Sequence, residues 1–222
     1  MNAVMELFKR HGVDDVCPDP TLAIGQCRYV VMDTELTGLD VKKDSIVSIG
    51  AVAMEGGKII LGETFYEMVC PETALSSESI VIHGIMPSEV VGMPSIGGVL
   101  DDFLKFCEGA VIVGHFLSLD LTFLNKEMKR LLGRKFRYPV ADTMQVHNWM
   151  QDQSRGARGQ YDAYEENKDL FSLAKKYHIQ VSAAHNALMD AFITAQLFQR
   201  FLSYLPALGV RTVKDLLRIA KP

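Results

Sequence analysis

Apolar residues dominate 28–33 (RYVVMD), a run that ends on an acid and reads as a buried strand. Segments 45–55 and 58–69 read as two more strands, and Gly56-Gly57 between them gives the pair hairpin character. The period then changes. Ile96, Val99, Leu100, Phe103 and Phe106 have helical spacing, 110–113 (AVIV) is a short buried strand, and Leu121, Leu124, Met128 and Leu131 mark another helix. Residues 143–150 and 169–178 are predicted helical, and Ala187, Ala191, Ala195, Phe198 and Leu202 line one face of a long helix. An antiparallel opening followed by alternation of helix and strand predicts an α/β fold.

The segment 151–168 (QDQSRGARGQYDAYEENK) is polar and contains glycine, which predicts a loop and a candidate mobile flap. Residues 1–27 form an N-terminal extension with Pro18 and Pro20, 28–203 the main domain, and 204–222 a C-terminal tail. In that tail Leu205-Pro206 breaks the chain before a short amphipathic helix near 212–220. The two ends are expected to be appendages rather than domains. There is no internal repeat and no low-complexity tract.

A length of 222 residues suits one sizeable domain with extensions, and 48% hydrophobic with 23% charged residues excludes a disordered or collagenous chain. The net charge of −4 excludes a basic protein that coats nucleic acid, so any such contact must be local. Charged or polar residues interrupt every apolar stretch before the roughly 18–20 residues that a bilayer needs. The opening MNAVMELFKR lacks an apolar stretch followed by a small-residue cleavage site, so a cytoplasmic, non-membrane protein is expected. Cys17, Cys27, Cys70 and Cys107 are too scattered for a zinc knuckle and are expected to be reduced packing residues.

Candidate chemistry begins at the end of the first strand. Asp33 and Glu35 are two positions apart, so their carboxylates share a face, and two like charges held together call for a cation or for solvent. Hard oxygen ligands suit Mg²⁺ or Mn²⁺. Asp120 follows the strand AVIVGH at a helix start, where capping is its other use. Asp190 lies near the start of the long helix, five residues after His185. On a continuous helix those two would diverge by roughly 140°, so convergence requires His185 to sit on the preceding loop, with Ser182 or Asn186 as the helix cap. Each feature alone has a structural explanation.

Together, DTELTGL (33–39), GHFLSLDLTFL (114–124) and HNALMDA (185–191) resemble, in order and spacing, the three motifs of the DEDD 3′→5′ exonucleases, histidine subgroup. Within it the likeness is to proofreading epsilon subunits of bacterial DNA polymerase III. ESIVIHGI (78–85), Asp142-Thr143 and LFSLAKKYHI (170–179) extend the resemblance over about 28–203. It implies a ribonuclease H-like mixed sheet, with its first three strands antiparallel, flanked by helices. It also implies two divalent ions, Mg²⁺ or Mn²⁺, held by Asp33, Glu35, Asp120 and Asp190, with His185 as general base. Glu78 and His83 match positions that hold the terminal nucleotide, and Thr37, Leu39 and Phe116 fall at further substrate-binding positions. For Leu39 a wedge between terminal bases and a core leucine are both open. For Asp142-Thr143 a helix cap is the expected role.

Two departures bear on substrate contacts. Leu36 replaces a threonine of the first motif, and Phe116 replaces an asparagine of the second, which exchanges hydrogen bonding for stacking or for a place in the core. Lys126, Lys129, Arg130, Arg134, Lys135 and Arg137 could form a phosphate-tracking stripe or a solvated helix face. The implied function is metal-dependent 3′→5′ hydrolysis of single-stranded or frayed DNA to nucleoside 5′-monophosphates, with a DNA polymerase as potential partner. RNA trimming is the alternative within the family, and an inactive polymerase-docking module the alternative from another class.

Overall fold

Three antiparallel strands open the fold: β1 (Arg28–Leu36), β2 (Ile46–Glu55) and β3 (Lys58–Met68). Two short strands follow, β4 (Val111–Gly114) parallel to β1 and β5 (Val140–Asp142) parallel to β4, which completes a mixed sheet in the order β3-β2-β1-β4-β5. The computed structural model describes residues 18–158, 167–181 and 185–222. Its helices are α1 (Ser77–His83), α2 (Pro87–Val90), α3 (Ile96–Phe106), α4 (Ser118–Leu132), α5 (Thr143–Arg158), α6 (Leu170–Lys176), α7 (Ala187–Tyr204) and α8 (Val213–Ile219). This is the α/β, ribonuclease H-like arrangement expected from the motifs. Among the described residues no helix is long and apolar enough to cross a membrane.

β1 is central and covered on both sides, which is why its sequence is continuously apolar. Successive side chains alternate between faces. Tyr29 and Val31 join one core with Leu173 of α6 and Phe198 and Phe201 of α7. Val30, Met32 and Leu36 join the other with Leu100 and Phe103 of α3 and Phe123 and Leu124 of α4. The acids that follow on β1 therefore stand at the mouth of two packed layers.

The structure differs from the sequence expectation in several places. β1 continues through both acids to Leu36, because its pairing with β2 persists as far as Ile46. β5 and α2, of three and four residues, are too short for periodicity to reveal. The segment 151–158, expected as loop, continues α5. No proline stops the helix there, and Gln and Arg are good helix formers even where no apolar stripe continues. The remainder of the expected flap, 159–166, lies outside the described residues, as does Cys17. Cys27 and Cys107 are buried packing residues, whereas Cys70 is exposed.

The chain ends pair with each other and with the body. Ile24 N donates to Arg211 O (3.0 Å), Val213 N to Leu22 O (2.9 Å) and Lys214 N to Pro20 O (2.8 Å). Asp142 N, on the outer side of edge strand β5, donates to Ala220 O at 2.7 Å. Leu205, Val210, Val213, Leu216 and Ala220 are buried in the core that contains Tyr29 and Phe198. Emptying one leucine site in a core already costs about 2–5 kcal/mol. Deletion after Tyr204 is therefore expected to lower the melting temperature by more than about 10 °C in a calorimetric scan. An unchanged melting temperature would show that the tail contributes nothing to the core.

Candidate active site

Asp33 and Glu35 lie on β1 with the same parity as Tyr29 and Val31, on the face that α7 covers. α7 packs across β1 and β2 and carries Asp190 in its first turn. Its close approach depends on Gly50, the register partner of Asp33: a Cβ at Gly50 would meet the backbone of Ala187 and Leu188 at 2.2 Å. The result is a close trio. Ligand oxygens of Asp33, Glu35 and Asp190 all lie within 4.8 Å of one another.

Asn186 caps α7, its side-chain oxygen accepting from Leu188 N (3.1 Å) and Met189 N (3.3 Å), while its amide donates to Tyr66 Oη (3.2 Å). Ser182, the other candidate cap, lies outside the described residues. His185 precedes the helix in the left-handed conformation (φ 64°), exposed, with its ring edge-on to Phe171 at 5.3 Å between centroids. The histidine is thus off the helix axis, as its five-residue spacing from Asp190 requires.

Asp120 arrives from the other layer, in the first turn of α4. Thr34, whose side chain points away from its neighbours Asp33 and Glu35, donates its hydroxyl proton to Asp120 Oδ1 at 2.5 Å. Asp120 is outside the close trio but is felt by it. Burial, then the charges of Asp120, Glu35 and Asp190, raise the Asp33 carboxyl well above the usual range. Burial, then Asp190 and Asp120, push Glu35 up to about 7. Burial lifts Asp120 to about 6 against the Thr34 hydrogen bond, and lifts Asp190 against the attraction of His185.

Such a cluster is costly without a counter-charge. Asp190 Oδ1 is buried and, among the described residues, accepts no hydrogen bond, which leaves it a lone pair for a further partner. Three convergent carboxylates with an unsatisfied oxygen fit a hard divalent cation. Among the described residues the converging donors are carboxylate oxygens, a hard set that suits hard divalent ions better than softer metals.

Around this cluster the other candidate residues have distinct settings. Glu78 is exposed in the first turn of α1, and His83 is buried in its last turn, before Gly84 in the left-handed cap (φ 71°). His83 Nδ1 accepts from Ile85 N at 3.0 Å, so the neutral ring carries its proton on Nε2, a buried atom on the side of the Leu36 backbone. Leu39 is 74% exposed and Phe116 45% exposed, so neither is a core residue. Thr37 is buried, and its hydroxyl is already shared between Asp44 Oδ1 and Ser45 N, both at 3.0 Å. It therefore shapes the turn that carries Leu39 and offers no free hydroxyl. The basic stripe is partly consumed within the protein: Lys126 donates to Asp44 O, and Arg130 pairs with Glu127 and Glu72.

Sequence reasoning gave Asp142 only a capping role. Its carboxylate does accept from Met144 N (2.8 Å), but also from Leu117 N (2.9 Å) and Phe116 N (3.3 Å). It thereby holds the turn leading to α4 and Asp120, in which Phe116 has φ 55°. His115 reinforces that turn, its Nδ1 on Thr143 Oγ1 and its Nε2 on Lys168 O, each at 2.8 Å. The adjacency of β4 and β5 brings these residues together, and no sequence spacing shows it.

Comparison with known proteins bears on this arrangement. The family model described as Exonuclease (RNase_T) matches residues 30–198. The chain is 33% identical over 177 residues to the DNA polymerase III subunit epsilon of Aquifex aeolicus, covering 80% of this chain and 81% of that one. An epsilon-like protein of Rhodobacter capsulatus is 33% identical over 208 residues, 93% of this chain and 28% of that one. The PolC-type DNA polymerase III of Thermotoga maritima is 30% identical over 192 residues, of which the chain spans only 13%. Among solved structures, the nuclease domain of 3′hExo, a DEDDh family member bound to rAMP, superposes with a TM-score of 0.66 at 18% identity, covering 80% of this chain and 92% of that one. Exonuclease I of E. coli, in complex with a dT13 oligonucleotide, gives 0.68 at 18% identity over 83% of this chain and 43% of that one. Those two likenesses concern the fold, whereas the match over 30–198 and the similarity to an epsilon subunit over most of both chains show that this chain belongs to the exonuclease family.

Proposed function

We propose that this chain is a metal-dependent 3′→5′ exonuclease that releases nucleoside 5′-monophosphates from single-stranded or frayed DNA, in the service of proofreading. The observation that carries the proposal is the close trio of Asp33, Glu35 and Asp190 with its unsatisfied Asp190 oxygen. Asp33, Glu35, Asp120 and Asp190 would hold two divalent ions, Mg²⁺ or Mn²⁺, which supply activation of a water and stabilisation of the leaving 3′-oxygen. His185, exposed beside the cluster, takes the proton of the attacking water. Glu78 accepts from the terminal 3′-hydroxyl, and His83 lies near the terminal phosphate or sugar. Leu39 and Phe116 present exposed apolar surface to the bases, with Thr37 holding the turn beneath Leu39. Similarity to epsilon and PolC proteins supports a polymerase partner and action in the cytoplasm. All four acids and His185 are present, which argues against an inactive docking module.

His185→Ala is expected to reduce kcat by roughly 10²–10⁴-fold and to remove the acid limb of the kcat profile at saturating metal. An unchanged limb would assign the base elsewhere. Phe116→Ala is expected to raise KM for single strands about 5- to 150-fold, since stacking on an aromatic is worth about 1–3 kcal/mol. The melting temperature should move by less than about 3 °C, because little core is lost. A large thermal loss with unchanged KM would contradict the stacking role. Substrate class is tested by 3′-labelled DNA and RNA of one sequence under single-turnover conditions. Faster release from DNA is expected, whereas faster release from RNA would identify an RNA-trimming enzyme.

A further inference from the structure

Thr34 lies between two acids of the first motif, yet its side chain belongs to the opposite layer. Its parity is that of Val30, Met32 and Leu36, which face α3 and α4. It is 8% exposed, and its hydroxyl donates to Asp120 Oδ1 across 86 residues of sequence, at the short end of the range for a hydroxyl on a carboxylate. The backbone N–H groups of Asp120 and Thr34 also support this carboxylate, and the Thr34 hydroxyl is the strongest of these bonds. Leu117, the residue that caps α4, makes no side-chain cap hydrogen bond, and Asp120 stands outside the trio of Asp33, Glu35 and Asp190.

We propose that Thr34 is a positioning residue that engages Asp120 Oδ1 and so leaves Oδ2 as the oxygen offered to the ion site nearest Asp120. One β-strand would then set both halves of the centre. Asp33 and Glu35 supply ligands on one face, while Thr34 fixes the orientation of the fourth acid, which comes from the other layer. A bare methyl at this position would let the Asp120 carboxylate rotate about its χ2 torsion, which is broad for aspartate. The inference rests on the two-ion reading above and concerns the weaker of the two binding events, since three ligands of the other event form the close trio.

Thr34→Val keeps the shape and the β-branched backbone preference and removes only the hydroxyl. Mn²⁺ binding to the purified full chain without nucleic acid, followed by electron paramagnetic resonance and calorimetry, should show two events in the parent. In Thr34→Val the first affinity should stay within about twofold and the second should weaken about tenfold, equal to about 1.4 kcal/mol. Half-maximal activation of hydrolysis should need correspondingly more Mn²⁺. Thr34→Ser, which restores a donor, should return the second affinity toward that of the parent. If Thr34→Val does not fold, Thr34→Ala against Thr34→Ser makes the same comparison. An unaltered second affinity in a hydroxyl-free variant, or a loss in Thr34→Ser equal to that in Thr34→Val, would overturn the positioning role alone. Absence of Mn²⁺ binding in the parent would overturn both the two-ion reading and this one.

Discussion

Asp190→Asn is expected to lose at least about 10³-fold in hydrolysis and, in metal-free buffer near pH 8, to melt at a higher temperature than the parent. The two effects have one cause. In the loaded enzyme Asp190 would be a ligand, and a thousandfold loss corresponds to about 4 kcal/mol of transition-state stabilisation. Without metal, the same carboxylate is buried beside Asp33 and Glu35 and accepts no hydrogen bond on Oδ1. An uncharged amide removes the repulsion and can donate to a neighbouring carboxylate. Relief on the order of 1 kcal/mol would raise the melting temperature by roughly 2–4 °C. Loss of the attraction between Asp190 and His185 works the other way, but it is smaller than the burial cost that raises the carboxyl. Retained hydrolysis would remove Asp190 from the chemistry, and an activity loss with a lowered metal-free melting temperature would contradict the repulsion.

The second large effect is on stability against pH. Glu35 is pushed up to about 7 and Asp120 to about 6 from ordinary values of 4.5 and 3.8, and Asp33 is raised as well. A raised carboxyl holds its proton in the folded state where the unfolded chain has released it. The associated stability is fully present below the unfolded value and is lost as pH rises through the folded one. The metal-free protein should therefore lose a few kcal/mol between about pH 4 and about pH 7, a fall of roughly 5 °C or more in melting temperature. Mg²⁺ at the millimolar level should abolish most of that fall, because it binds the ionised folded form. Thermal scans across that window, with chelator and with Mg²⁺, provide the check. His83 and His115, which burial lowers, gain stability over the lower part of that window and offset some of the fall, so a profile that rises throughout would show that the carboxyls are not raised in the folded state.

How much of this was legible in the sequence varied with the range of the interaction involved. The strands and long helices were visible because two layers of core impose their periods on Tyr29 to Met32, on Ile96 to Phe106 and on Ala187 to Leu202. The resemblance of the three motifs implied that the acids converge, but the means of convergence were hidden. Gly50 admits the start of α7, a contact between residues 137 positions apart. Nothing in the sequence marks Thr34, and only the approach of α4 gives its hydroxyl a partner. The tail read as an appendage with a short apolar stripe, and its anchoring depends on backbone pairing with residues 20–24 and on Asp142, which no spacing shows. Polarity suggested a loop from residue 151, yet a polar sequence alone does not end a helix, and α5 runs to Arg158.

The most direct test of a metal-dependent 3′→5′ exonuclease is the product pattern from a 5′-labelled single-stranded DNA oligonucleotide, resolved nucleotide by nucleotide. The parent protein with Mg²⁺ or Mn²⁺ should generate a ladder shortening from the unlabelled 3′ end, and excess chelator or Asp33→Asn should leave the substrate intact. Immediate appearance of the labelled mononucleotide, or a ladder undiminished by chelator, would contradict the assignment.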